Sequence, residues 1–194
     1  ITNAVLGKVE TVNHNTKVTN TGVLTMKNVE VQGNASANRH AIIAEKGGKA
    51  FLTDVVIKDA PGNAIHINHE DCKVVGENVT IKDSCNGAFS SAGTIEIKNL
   101  TTENLTNNNI LTRKKGNVIV TDSKLGPSKG HNVKAEKGSS VSMTNTIVEG
   151  VAKDAPGDKR AIMAEDGAVT LDTVTIVDGK NGAIFANKAE SEDV

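Results

Sequence analysis

At 194 residues the chain is long enough for one domain or a stretch of solenoid. Tyr and Trp are absent and Phe51, Phe89 and Phe185 are the only aromatics, which argues against the ring-rich core of an ordinary globular domain. Lys plus Arg number 22 against 23 Asp plus Glu, with only Arg39, Arg113 and Arg160 as arginines; that balance disfavours nucleic acid as the principal partner, and no apolar run reaches the ~18 residues of a membrane span.

Abundant Val, Ile, Thr, Asn and Gly favour short strands joined by tight turns. The chain opens on Ile1 rather than Met, as expected of a processed or excised segment. Residues 1–20 follow no clear pattern and are expected to form an N-terminal cap or a first irregular coil. From there to residue 186 one unit recurs. Its clearest copy is Ala161-Ile162-Met163-Ala164, then Glu165-Asp166-Gly167, then an alternating run from Val169 to Ile176; an earlier copy starts at Ala41 and ends at Ile57. Further copies begin at Ala64, Ala88, Asn109, Asn132 and Ala183, so the steps from 41 through 64, 88, 109, 132, 161 and 183 are 23, 24, 21, 23, 29 and 22 residues.

Period-two alternation puts Leu24 and Met26, Ala50 and Leu52, Ile95 and Ile97, Val118 and Val120, Val141 and Met143, and Val169 and Leu171 on one face. Two positions on comes a short polar residue: Asn28, Asp54, Asn78, Asn99, Asp122, Asn145 or Thr173. Asn and Asp tolerate left-handed backbone, so this column predicts a corner between two strands. The third strand follows, with Val29 and Val31, Val55 and Ile57, Val79 and Ile81, and Val174 and Ile176 facing inward. The pattern predicts an all-β, right-handed parallel β-helix of about seven three-strand coils of 21–29 residues. Residues 187–194 are the tail of an interrupted coil, expected where a longer protein continues.

Cys72 and Cys85 fall in one coil, either as a disulfide across a loop mouth, which would imply an oxidising compartment, or as two free thiols. No clustered carboxylate pair, nucleophile motif or metal-ligand set stands out: Asp54, Asp122 and Glu77 read as turn residues, His66 and His69 fall on different faces, and His14, His40 and His131 look scattered. The expectation is therefore no catalytic residue, no metal and no cofactor. Three surface features are candidate partner-binding elements. The third position of the first strand, expected outside, reads Ile43, His66, Ser90, Leu111, Lys134, Met163 and Phe185, an apolar stripe that is either an interface or covered by loops. Arg113-Lys114-Lys115 replaces the usual Glu-Lys-Gly turn, either to touch sulfated glycan or an acidic receptor, or as a solvated turn. The longest loop, 149–160, carries Lys153, Asp158, Lys159 and Arg160.

The units Ala-Ile-x-Ala-Glu-(Lys/Asp)-Gly followed by Val-x-Leu-x-(Asn/Asp/Thr)-x-x-Ile at 41–57, 132–148 and 161–176 resemble the passenger domains of pertactin-type bacterial autotransporters. The resemblance implies a secreted or bacterial cell-surface virulence factor, not an enzyme, exported through a translocator barrel outside this chain. It further implies binding to a host cell-surface receptor or matrix protein, and the Lys- and Asn-rich coils are similar to vasculoproliferative passengers acting on endothelial growth-factor receptors. The alternative is a glycan-active β-helix enzyme, a polysaccharide lyase or hydrolase.

Overall fold

The computed structural model describes residues 1–10, 13–33, 36, 39–178 and 181–187. All regular structure among them is β, and parallel strands stack as a solenoid of about 8 turns. The first ladder contains β2 (Thr16–Val18), β4 (Ile42–Ala44), the opening segments of β6 (Asn63–Lys82), β7 (Asn86–Glu103) and β8 (Ile110–Thr121), then β10 (Val133–Glu136), β12 (Ile162–Glu165) and β14 (Ile184–Asn187). The rung added to the seven expected is Thr16–Val18, which pairs with Ile42–Ala44. It carries Thr16 where the other rungs carry Ile, Val or Ala and therefore escapes a repeat search. Residues Thr2–Leu6 (β1) pair with Lys27–Val31, which adds a strand one turn earlier still.

The second and third ladders run through β3 (Val23–Gln32), β5 (Lys49–Lys58), the later parts of β6 to β8, β9 (Lys124–Leu125), β11 (Ser140–Val148) and β13 (Ala168–Ile176). Their registers reproduce the expected inward columns. Leu24, Ala50, Val74, Ile95, Val118, Val141 and Val169 stack in one, and Met26, Leu52, Gly76, Ile97, Val120, Met143 and Leu171 in the next. In the middle turns these side chains are fully buried, each contributing roughly 1.5–3 kcal/mol. Leu24, Val169 and Leu171 sit in end turns with a neighbour on one side and are only partly buried.

The corner column takes the conformation its residue types favour. Asn28, Asp54, Asn78, Asn99, Asp122, Asn145 and Thr173 all have φ between 47° and 61°, a left-handed backbone that Asn and Asp enter at the least cost after Gly. Their side chains then reach one turn down. Asn78 Nδ2 donates to Asp54 Oδ1 at 2.8 Å, Asn99 Nδ2 to Asn78 Oδ1 at 2.8 Å and Asn145 Nδ2 to Asp122 Oδ1 at 2.7 Å. Glu77 is a strand residue just before the corner, paired in register with Thr53 and Lys98, and not itself a turn residue.

Candidate functional site: the outer side of the first ladder

Alternation along the first ladder turns every second residue outward. Register gives the outward column as Lys17, Ile43, His66, Phe89, Leu111, Lys134, Met163 and Phe185. Ser90, expected here, instead faces inward: Ile67 pairs with Ser90, which is fully buried and donates from Oγ to the Gly93 carbonyl at 2.9 Å. The one-residue slip arises because Gly87, not Ala88, occupies the small-residue position that Ala41 and Ala64 fill in their turns.

Phe89 makes the column more apolar, yet little of it is open to solvent beyond Lys17 and Phe185: His66, Phe89, Lys134 and Met163 are half-buried. Ile43 and Leu111 are 2 % and 4 % exposed, and Phe185, in the last described turn, is 38 % exposed. Polar and charged side chains close over the remainder. Arg113 places its guanidinium 5.5 Å from the Phe89 ring centre and Arg160 lies 5.3 Å from that of Phe185. Lys134 is held at 2.9 Å by both Glu136 and Glu165.

A second column flanks the first, two residues before the first inward position of each turn: His14, His40, Asn63, Asn86, Asn108, His131 and Arg160. The histidines that look scattered in sequence are equivalent in the fold. His14 Nδ1 accepts the His40 amide at 3.0 Å, His40 Nδ1 the Asn63 amide at 3.1 Å and His131 Nδ1 the Arg160 amide at 3.1 Å. Asn86 makes the same bond through its side-chain oxygen, accepting the Asn108 amide at 3.0 Å. The available signal was the shared offset: His14, His40 and His131 each stand two residues before a first-strand apolar or Thr position.

His14, His40 and His66 also touch through their rings. His14 stacks on His40 with centroids 5.0 Å apart, His40 meets His66 edge-on at 4.3 Å, and His66 lies flat against Phe89 at 4.7 Å. Burial, aided by the other two imidazoles and Arg39, lowers His40 to about 3, and burial with a lesser push from His14 lowers His66 to about 4. His131 is lowered to about 4 by burial and then by Lys159 and Lys134.

The basic run divides into three roles. Arg113 Nε binds Glu136 at 2.7 Å while its guanidinium covers Phe89. Lys115 reaches Glu70, 45 residues earlier, at 2.9 Å. Lys114, left-handed at φ 53°, is exposed without an ion-pair partner among the described residues. Glu70 comes within reach because the chain between Asn68 and Lys73 bulges out of register. Shallow hollows lie on either side of that bulge: one of about 280 Å³ includes His69, Glu70, Lys114 and Lys115, and one of about 530 Å³ includes Lys46, Lys49, His69 and Asp71.

In the long loop Lys153 is exposed, Asp158 pairs with Arg160 at 2.9 Å, and the Lys159 carbonyl accepts Asn181 Nδ2 at 3.3 Å. Cys72 and Cys85 are free thiols. They sit at different corners: Cys72 beside Gly47 and Gly48, where burial pushes its thiol up, and Cys85 where its amide bonds the Ala60 carbonyl. A strand on each side of the intervening corner separates them, so proximity in sequence does not bring the sulfurs together. Asp54 and Asp122 are spent on the corner ladder. Among the described residues no group of three or more His, Cys, Asp or Glu is placed to hold a metal ion.

These features define a parallel β-solenoid with a half-buried, histidine- and arginine-lined outer face. No family model matches the chain, and neither a curated protein nor a solved structure matches it.

Proposed function

We propose that this solenoid is a non-enzymatic binding module of a secreted or bacterial surface protein, of the autotransporter-passenger kind, that engages a protein on host cells. The observation that supports this most is the corner around the bulge after Asn68, where the exposed Lys114, Lys115 and His69 border an open hollow on a rigid ladder. Rigid scaffolds with variable corners suit recognition, because little ordering entropy is lost on binding. The 149–160 loop, with Lys153 exposed, is the second contact region.

The test is saturable binding of the purified chain to host cells and to a panel of receptor ectodomains, with heparin as competitor. K114E/K115E should weaken binding at least tenfold and K153E/K159E less; binding unaffected by both pairs would reject these contacts. Loss of binding to heparin alone would assign the lysines to sulfated glycan.

One observation favours the glycan-active reading. Glu103 and Glu149 follow Thr102 and Val148, which both align with Leu125, so they stand two turns apart on the outer side of the third ladder with Gly126 between them. Two strand spacings are about 9.6 Å, near the carboxylate separation of inverting glycosidases. The hollow there is about 230 Å³, and Lys124 pairs with Glu149 at 2.7 Å. Release of reducing ends from a polysaccharide panel, abolished by E103Q, would establish that reading.

A further inference from the structure

We propose that the His14, His40 and His66 ladder clasps the first turns of the solenoid only while its rings are neutral, so that mild acid opens this end ahead of the middle turns, where Asn86 makes the equivalent bond. The inference is independent of what the module binds.

Hydrogen bonding fixes the protonation state. His14 and His40 each accept a backbone amide of the following turn at Nδ1, at 3.0 and 3.1 Å. A ring nitrogen that accepts cannot carry a proton, so each ring holds its single hydrogen on Nε2. Protonation at Nδ1 turns the acceptor into a donor facing another donor, and the link between turns is lost. Stacking compounds this, since the three rings lie 5.0 and 4.3 Å from one another and charge on one opposes charge on the next. His66 is enclosed further by Phe89 at 4.7 Å.

The charged groups facing the ladder do not welcome a proton. Lys17 and Arg39 oppose it, and Glu45 is the one acid that favours it. Glu45 is already engaged by Lys17 and by Asn68 Nδ2 at 3.0 Å.

The folded state holds these imidazoles well below 6.5, whereas the opened chain protonates near 6.5. The opened state therefore binds more protons, and stability present above pH 6.5 is lost progressively as pH falls towards the folded values. At pH 5 one imidazole that stays neutral when folded multiplies the opening constant by about thirtyfold, and two by about a thousandfold.

The chain itself supplies the control. Asn occupies the His14 and His40 column in other turns, and Asn86 makes the same amide bond without titrating. Phe89 occupies the His66 column. The variant H14N/H40N/H66F thus keeps the acceptors and a ring against Phe89 while removing the protonation.

The experiment is residue-resolved amide exchange at pH 7 and pH 5, corrected for intrinsic rates, read at the amides of His40 and Asn63. In the wild-type chain their opening constants should rise at least a hundredfold, while the amide of Asn108, held by the same bond from the non-titrating Asn86, changes less than about threefold; in the variant the rise should fall below about threefold. An unchanged wild-type opening constant, or a variant that keeps the wild-type response, overturns the clasp. Should the variant fail to fold, NMR titration of the wild-type rings decides: midpoints below pH 5 for His40 and His66 support the clasp, and midpoints near 6.5 overturn it.

Discussion

At an ordinary strand position Gly is less stable than Ala by roughly 0.5–1 kcal/mol. At Asn78 the order should invert. Asn78 has φ 56°; its Nδ2 donates to Asp54 Oδ1 and its Oδ1 accepts Asn99 Nδ2, both at 2.8 Å. Either substitution removes two exposed hydrogen bonds, each contributing about 0.5 kcal/mol at the low end of the usual range. Ala adds the penalty of a left-handed Cβ, about 1–2 kcal/mol, which Gly escapes. Asn78→Ala should therefore cost about 2–3 kcal/mol and Asn78→Gly about 1–2 kcal/mol, read from urea unfolding midpoints at constant slope. If Ala proved as stable as Gly or more so, the left-handed corner would not be what selects Asn in this column.

Other expectations follow from the same ladders. Ile97 is fully buried and overlies Gly76, whose added Cβ would come 2.9 Å from Val79 Cγ2 and 3.2 Å from Ile97 Cγ1. Ile97→Ala should cost about 3–4 kcal/mol, and adding Gly76→Ala should recover none of it, because the Val79 contact remains, measured by the same unfolding assay. Gly116 packs against the preceding turn so closely that a Cβ would meet the Ser90 carbonyl oxygen at 2.1 Å. Gly116→Ala should destabilise by about 3 kcal/mol or prevent folding, seen as a lowered thermal midpoint. Alkylation followed by peptide mass analysis should modify the half-buried Cys85 under native conditions and Cys72, 2 % exposed, only on unfolding.

Much of this fold is legible from two periodicities. Alternation places Ile95 and Ile97 inside because a strand has no other way to divide its faces, and the Asn and Asp column marks the corner because few residues enter left-handed backbone cheaply. Where both signals weaken, reading fails. Ala88 resembles the Ala that starts other turns and so predicts Ser90 outside, yet Gly87 takes that place and register moves by one. Thr16–Val18 joins the ladder by pairing with β4, a non-local contact that its own three residues do not announce. The outer face was the least legible part. The offset of two residues before the first strand links His40 and Asn63, but His14 joins the column only once Thr16–Val18 is recognised as a rung. The charged run at 113–115 reads as one patch, but Glu136 and Glu70 arrive from other turns to occupy two of its three members.

The bulge between Asn68 and Lys73 has a use of its own. It adds residues to a corner, yet the strands on both sides regain register, with Ile67 opposite Ser90 before it and Val74 opposite Ile95 after it. An insertion absorbed this way leaves the rung spacing untouched. Foreign peptides spliced between His69 and Asp71 should then be displayed at a fixed height along the rod, which makes the chain a ruler on which the separation of two grafted epitopes is set in steps of one turn.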